Sequence, residues 1–263
     1  MFSFLAEILA ITFLGFGAIY PLLLWLSPHK LINSEFYRFN QGMVSIVISI
    51  GIIFIYLSSS LLNNFYFGVF WLFIQLFITA IYWKTENINN IFISIPSVIG
   101  ISYLILIMSQ IFTVDLSIIN YIIIFNSYSI VALVFYSMIL GHWYLNVINL
   151  PIKLLKRSIL VFSLLIIIRT LWDFVFMSLE NIVDPYGISY SLWAFTFEFE
   201  GFLLAIAIFM GNIVPLILNL FIWKTLKLQA TQSATGLIYV SVISILFGEL
   251  LFKYYLLKFG FLL

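Results

Sequence analysis

Eight long apolar stretches dominate this sequence and leave few folds open to it. They run roughly over residues 3–26, 43–62, 65–83, 91–112, 121–145, 158–179, 197–222 and 235–257. A helix needs about 20 apolar residues to cross the hydrocarbon core of a bilayer. Hydrophobic residues make up 64% of the chain and charged residues only 8%, too few to give a soluble domain its solvated surface. The sequence therefore predicts an all-α, polytopic membrane protein: one integral domain, residues 1–263, built as a bundle of eight transmembrane helices in the lipid bilayer.

Basic residues in the short loops predict the orientation of this bundle. The loops after the first, third, fifth and seventh spans hold Lys30, Arg38, Lys84, Lys153, Lys156, Arg157, Lys224 and Lys227, and the opposite loops between spans hold none. Because Lys and Arg are retained on the cytoplasmic side, we predict a multi-pass protein of the cell (inner) membrane with both termini outside. The N-terminus lacks the basic region of a signal peptide, so we interpret it as the first span. Asn63-Asn64 is the weakest break, and seven spans remain an alternative there.

Several kinds of site are excluded or disfavoured by composition. The chain has no cysteine, so it cannot itself hold a thiolate-bound iron–sulfur cluster. A net charge of +1 gives no basic surface for nucleic acid. The two histidines, His29 and His142, each adjoin a polar loop, where a solvated interfacial histidine is the ordinary outcome. We expect no haem, although both could lie at one depth and a bis-histidine haem is the alternative.

Charged residues inside the apolar stretches are the best clue to function. At the predicted orientation, five acids and two bases lie at similar depth in the outer half of the bundle: Glu7, Asp173, Glu198, Glu200 and Glu249, with Arg169 and Lys253. Arg169 and Asp173 are four residues apart, as are Glu249 and Lys253, so each pair shares a helix face. Ionisable groups are costly in hydrocarbon and usually mark a pathway or relay, which predicts a proton-accessible polar cavity. The alternative is that the pairs are structural clasps and the other acids reach the headgroups.

A stripe of small residues is predicted on the seventh span. Leu204, Ala207, Gly211 and Pro215 follow Glu200 at helical spacing, which lets a neighbouring backbone come close. Asn212 and Pro215 predict a kink or a freed carbonyl near mid-membrane.

The last helix carries a family resemblance. The resemblance lies in the segment from Ile243 to Tyr255 of this helix, in which Lys253 follows Gly248-Glu249 one turn later. Together with eight spans and a proline deep in the penultimate helix, this resembles the membrane-anchor group of NrfD, polysulfide reductase and DMSO reductase. The resemblance implies a subunit that exchanges electrons and protons between menaquinol or ubiquinol and an iron–sulfur partner, without a redox cofactor of its own.

The same resemblance gives the candidate residues their expected roles. Glu249, Asp173 and Arg169 are the candidates for proton exchange. The residues expected to contact a quinone are Glu249, Lys253, Glu200, Glu7 and His142, the last within the segment Gly141-His142-Trp143-Tyr144-Leu145. Whether the chain is catalytic or only supports a partner stays open.

Two other classes of function compete with this interpretation. The acids could bind a coupling proton or ion in a secondary transporter. Against that class, the sequence shows no internal repeat, and the acids are predicted towards the outer leaflet instead of the midplane, where transporters bind their substrates. The third class is a structural assembly subunit with no site.

Overall fold

The computed structural model describes residues 2–28, 31–58, 61–85, 89–112, 116–147, 150–183, 187 and 189–263. Within these ranges, eight helices are long and apolar enough to cross a membrane. The predicted all-α polytopic bundle is confirmed, and the count is eight instead of seven. A turn of 3₁₀ helix, Leu62–Asn64, begins the third span and separates it from the second.

The bundle is built from long helices with one interruption in the seventh span. The first six spans are formed by α1 (Phe2–Leu23), α2 (Ser34–Leu57), α3 (Phe65–Tyr82), α4 (Asn90–Ile111), α5 (Ile118–Asn146) and α6 (Lys153–Leu179). A hairpin of β1 (Asn181–Val183) and β2 (Ser189–Ser191) and a short helix α7 (Leu192–Phe195) follow. The seventh span consists of α8 (Phe202–Ile208), a π-helical segment (Phe209–Ile213) and α9 (Val214–Lys227), and the eighth is α10 (Thr231–Phe259).

Three helix starts differ from the predicted spans by five residues or more. Helix α2 begins at Ser34 instead of residue 43, because its polar first turns are buried in the bundle, with Asn40 and Gln41 almost inaccessible. Helix α6 begins at Lys153, so the basic residues predicted as loop belong to its first turns. The seventh span begins only at Phe202, after a tight turn in which a Cβ on Gly201 would collide with the carbonyl of Phe195.

Helices α1 and α10 lie inside the bundle. Helix α1 packs against α2, α4, α5 and α10, and α10 packs against α5 and all three parts of the seventh span. Helices α3 and α6 lie at the periphery: only 28% of the most apolar window of each span is buried, against 72% for the first span. The large exposed side chains of α6, such as Leu164 and Leu171, therefore face lipid.

The two ends of the bundle differ. One end carries the β1–β2 hairpin and the C-terminus, where the Trp172 indole of α6 donates to the carbonyl of Leu262 (2.7 Å). We call this the hairpin end. The other carries most of the Lys and Arg residues, many of them in the terminal turns of α2, α6 and α9, and we call it the basic end. Helix α10 finishes at the hairpin end with Gly260 in the left-handed conformation (φ 74°), which glycine adopts without strain.

Candidate functional site

Four of the predicted charged residues meet in the bundle interior. Arg169, Asp173, Glu249 and Lys253 are each at most 2% exposed. The Arg169 guanidinium donates through Nη1 to Glu249 Oε1. Lys253 Nζ lies 3.5 Å from Glu249 Oε2, and Arg169 Nε lies 3.8 Å from Asp173 Oδ2. The two intrahelical pairs are thus joined through Glu249 into one buried charge network of two acids and two bases.

The depth of the network follows from its positions on two helices. Arg169 lies ten residues before Leu179, the end of α6, and Glu249 lies ten residues before Phe259, the end of α10. At 1.5 Å per residue, both are about 15 Å below the hairpin end. The spacing of four residues within each pair puts the second member one turn nearer that end.

Two neutral side chains complete the network. The Ser127 hydroxyl of α5 donates to Glu249 Oε2 (2.8 Å) and accepts from Lys253 Nζ (2.8 Å). Asn212 of the π-helical segment donates through Nδ2 to Asp173 Oδ2 (2.6 Å). Sequence reasoning assigned Asn212 only to a kink and did not single out Ser127. The one signal for Ser127 was the pair Asn126-Ser127 within an otherwise apolar stretch.

Aromatic rings cover the two bases. The Phe252 ring centroid lies 4.1 Å from Arg169 Cζ, and the Tyr128 centroid lies 4.6 Å from Lys253 Nζ. The negative face of each ring attracts the cation where water is excluded.

The π-helical segment places Asn212 and brings two backbones together. Pro215 has no N–H and cannot bond to the carbonyl four residues earlier, which favours the wider turn. A Cβ on Gly248 of α10 would lie 2.4 Å from Gly211 Cα, so the helices touch backbone to backbone. The predicted close approach along the small-residue stripe is confirmed. Single π-helical turns of this kind occur frequently at functional sites.

Part of the network has no hydrogen-bond partner in the protein. Asp173 Oδ1, Asn212 Oδ1 and Arg169 Nη2 are buried and unpartnered. Buried polar atoms are otherwise almost always bonded, so each such atom is a candidate contact for a ligand.

A lateral cavity lies beside two of these atoms. Its volume is about 170 Å³, and it lies between α6 and the π-helical segment, lined by Thr170, Asp173, Phe174, Met177, Trp193, Ile208, Asn212 and Ile213. Phe174, Trp193 and Ile213 are exposed on the outer surface of the bundle, the surface that faces lipid. The lining atoms of the cavity are almost all apolar, and Asp173 and Asn212, each with an unpartnered oxygen, are among its lining residues.

The remaining predicted residues are placed differently. Glu200 lies in the turn before α8 and pairs with Lys258 (3.3 Å), both exposed. Glu198 accepts from the Tyr190 hydroxyl (2.9 Å) and is also exposed. Both acids were predicted to open the seventh span. That prediction is wrong, because the span begins at Phe202.

Glu7 and His142 also lie apart from the charge network. Glu7 is half-buried on α1 and accepts from Ser3 (3.3 Å). His142 is exposed near the basic end of α5, 15 residues from Ser127, and lines a separate cavity. That spacing corresponds to about 22 Å along the helix, so His142 cannot contact the network. His29, its possible partner, lies outside the described residues.

Within the part of the chain that the structure describes, no three His, Asp or Glu side chains gather as they would around a metal ion. The expectations about haem and iron–sulfur clusters stay predictions.

No family model, no curated protein and no solved structure matches this chain. Its function therefore has to be argued from the site itself.

Proposed function

We propose that this integral membrane protein is the quinone-interacting subunit of an oxidoreductase complex, and that a quinol exchanges protons at Asp173. The observation that carries this proposal is a buried carboxylate with one unpartnered oxygen, on a residue that lines a cavity at the outer surface of the bundle. A membrane-dissolved molecule can enter from the side without crossing the headgroups. Intramembrane carboxylates of this kind are the usual members of proton relays.

The cavity residues fit the head of a quinol. Phe174, Met177 and Trp193 provide apolar walls for a ring, and a cavity of about 170 Å³ suits a ring better than a whole lipid. Asp173 Oδ1 and Asn212 Oδ1 have no partner in the protein and can each accept a hydrogen bond, so together they match a group that carries protons. A bound quinol would supply the two electrons and two protons of the reaction.

The chain's own residues would hold and move the proton. Asn212 holds Asp173 through Oδ2, which leaves Oδ1 without a partner in the protein and able to accept a hydrogen bond. With Asp173 ionised, the network has two negative and two positive groups. The unpartnered oxygen of Asp173 can accept a proton from a bound quinol, and the carboxyl group can then pass that proton on.

An ion- or proton-coupled carrier is the second candidate function. The observation in its favour is the π-helical interruption of the seventh span next to the network, since transporters bind ions where helices are discontinuous.

The test compares Asp173→Asn with a matched acid outside the cavity. Menadiol binding is measured by quenching of tryptophan fluorescence, in nanodiscs under anaerobic conditions. Asp173→Asn keeps the side-chain shape and should weaken binding about tenfold, the effect of losing one strong hydrogen bond. Glu198→Gln, an exposed acid, should bind like the wild type. Equal affinity of Asp173→Asn and wild type would overturn the quinol site, and loss of proton-driven solute uptake in proteoliposomes would favour the carrier.

The expected complex and orientation belong to the same proposal. An iron–sulfur partner should be retained when the tagged chain is purified in mild detergent, and its clusters should be visible by electron paramagnetic resonance. Because the chain contains no cysteine, single cysteines can report orientation without further engineering. Glu198→Cys at the hairpin end should react with a membrane-impermeant maleimide in whole cells, and Lys84→Cys at the basic end should react only after lysis. The reverse pattern would overturn the proposed orientation.

A further inference from the structure

A second cavity follows the first along the contact between α6 and α9. It has a volume of about 250 Å³ and is lined by Leu160, Ser163, Ile167, Leu216, Asn219, Leu220 and Trp223. Among its lining residues the Asn219 amide donates to the Ser163 hydroxyl (2.7 Å), while Asn219 Oδ1 is buried without a partner. Leu160, Ile167 and Leu220 are exposed on the lipid-facing surface. This cavity is therefore a lipid-accessible groove with apolar walls.

The two cavities are neighbours on both helices. Ile213 lines the first and Leu216 the second, three residues later; Thr170 lines the first and Ile167 the second. Residues three apart on a helix are adjacent on its surface. Together the two cavities extend from Asn212 to Trp223, eleven residues, or about 16 Å at the helical rise.

The direction of the groove fits a molecule with a polar head and an apolar chain. Asp173 lies six residues before the end of α6, so a head bound there is about 9 Å below the hairpin end. A chain joined to that head has to run towards the membrane centre, because the opposite direction leads to water. The second cavity lies on that side. The larger apolar cavity, about 330 Å³, is formed by other helices, including α1 and α2, and does not continue from Asp173.

We propose that the second cavity binds the first part of an isoprenoid tail, and hence that the site selects a long-tailed quinol. This inference rests on the proposed function, because it assumes a quinol head at Asp173. Burial of the tail against Leu216, Leu220 and Trp223 adds apolar contact that a tail-less analogue does not make.

The experiment uses two probes with the same ring. Menadiol has no tail, and the second probe is menaquinol with a four-isoprene tail; affinities are expressed relative to the concentration of each probe in the nanodisc membrane. Wild type should bind the tailed probe at least tenfold more tightly. Leu216→Trp fills the groove and should remove most of that gain without changing menadiol affinity. Leu164→Trp, on the exposed face of α6 outside the groove, is the matched control and should keep the gain.

The outcomes separate this inference from the proposed function. If menadiol does not bind, or binds Asp173→Asn as it binds wild type, the quinol site itself fails. If menadiol binding depends on Asp173 but the tail adds no affinity, or Leu216→Trp changes nothing, only the groove inference fails. Release of a co-purified phospholipid by Leu216→Trp with unchanged affinity for the tailed probe would show an acyl-chain site instead, and would also overturn it. Leu216→Phe, a smaller change, replaces Leu216→Trp if the latter lowers the melting temperature.

Discussion

Two buried polar clusters each include one side chain of helix α5, Tyr136 towards one end of the bundle and Ser127 towards the other, and they differ in how completely their atoms are bonded. Towards the basic end, Tyr20 donates to Asn40 (2.5 Å), Asn40 donates to the carbonyl of Phe36 (2.5 Å), Tyr136 bonds to Ser27, and Tyr37 donates to the carbonyl of Ser27. We call Tyr20, Ser27, Tyr37, Asn40 and Tyr136 the tyrosine clamp. All of its side-chain groups are neutral and have partners.

The charge network has the opposite character. It contains four ionisable groups, and Asp173 Oδ1, Asn212 Oδ1 and Arg169 Nη2 have no partner in the protein. Removing ions from water costs several kcal/mol each, and a buried pair is often no more stable than apolar residues in its place. Burial of polar groups is thus common to both clusters, and incomplete bonding distinguishes the network. Neutral groups that are all bonded, as in the clamp, are expected where side chains hold helices together. Buried polar atoms without partners, as in the network, are expected at a binding site.

The largest effect is expected for Glu249→Gln, which tests the charge balance of the network. Glu249 is the acceptor for Arg169, Lys253 and Ser127, so its loss leaves two bases against one acid. Removing one partner of a buried ion pair typically costs about 3–5 kcal/mol. We expect a marked fall in melting temperature in detergent and in the yield of folded protein.

The control for Glu249→Gln restores the balance. In Glu249→Gln/Lys253→Gln, one acid faces one base, and stability should return part of the way to wild type. If Glu249→Gln alone is as stable as wild type, charge balance does not stabilise the network. The proposed difference between the network and the clamp would then be wrong.

A smaller effect is expected for Gly248→Ala, which tests whether the network needs close helix packing. The new Cβ would meet Gly211 Cα at 2.4 Å and force the two helices apart. Overpacking of this kind costs about 1–3 kcal/mol. Because Asn212 is next to Gly211, menadiol affinity should fall as well.

The matched control for Gly248→Ala lies on the same helix. A Cβ on Gly236 of α10 meets nothing within 4 Å, so Gly236→Ala should leave binding unchanged and stabilise the protein by about 0.5–1 kcal/mol. If Gly248→Ala behaves like Gly236→Ala in both measurements, the backbone contact does not position the site.

The sequence predicted the parts of this structure that depend on one helix at a time. Length and hydropathy predicted eight spans, and the spacing of four residues predicted the pairs Arg169–Asp173 and Glu249–Lys253. The stripe around Gly211 predicted the close approach. These features follow from the periodicity of a single helix, which the sequence contains.

Other features depend on how helices are placed against one another, and the sequence does not fix that. The bond from Arg169 to Glu249 links α6 to α10, and Ser127 comes from α5, 122 positions before Glu249. Sequence depth alone therefore put Glu198 and Glu200 with the network, although the turn at Gly201 keeps them at the surface. Helix α2 was predicted too short for a similar reason: Asn40 and Gln41 look like loop residues until their buried partners are known.

The smallest effect is expected for Tyr136→Phe, which tests the clamp side of the comparison. The variant removes the hydroxyl that bonds to Ser27, and one neutral hydrogen bond contributes about 1 kcal/mol. Tyr136 lies nine residues from Ser127 on α5, about 14 Å along the helix, so the network should not change. We expect a small drop in melting temperature with menadiol affinity equal to wild type. If Tyr136→Phe instead weakens menadiol binding as much as Asp173→Asn does, the two clusters act together, and complete hydrogen bonding does not separate a structural contact from a functional one in this bundle.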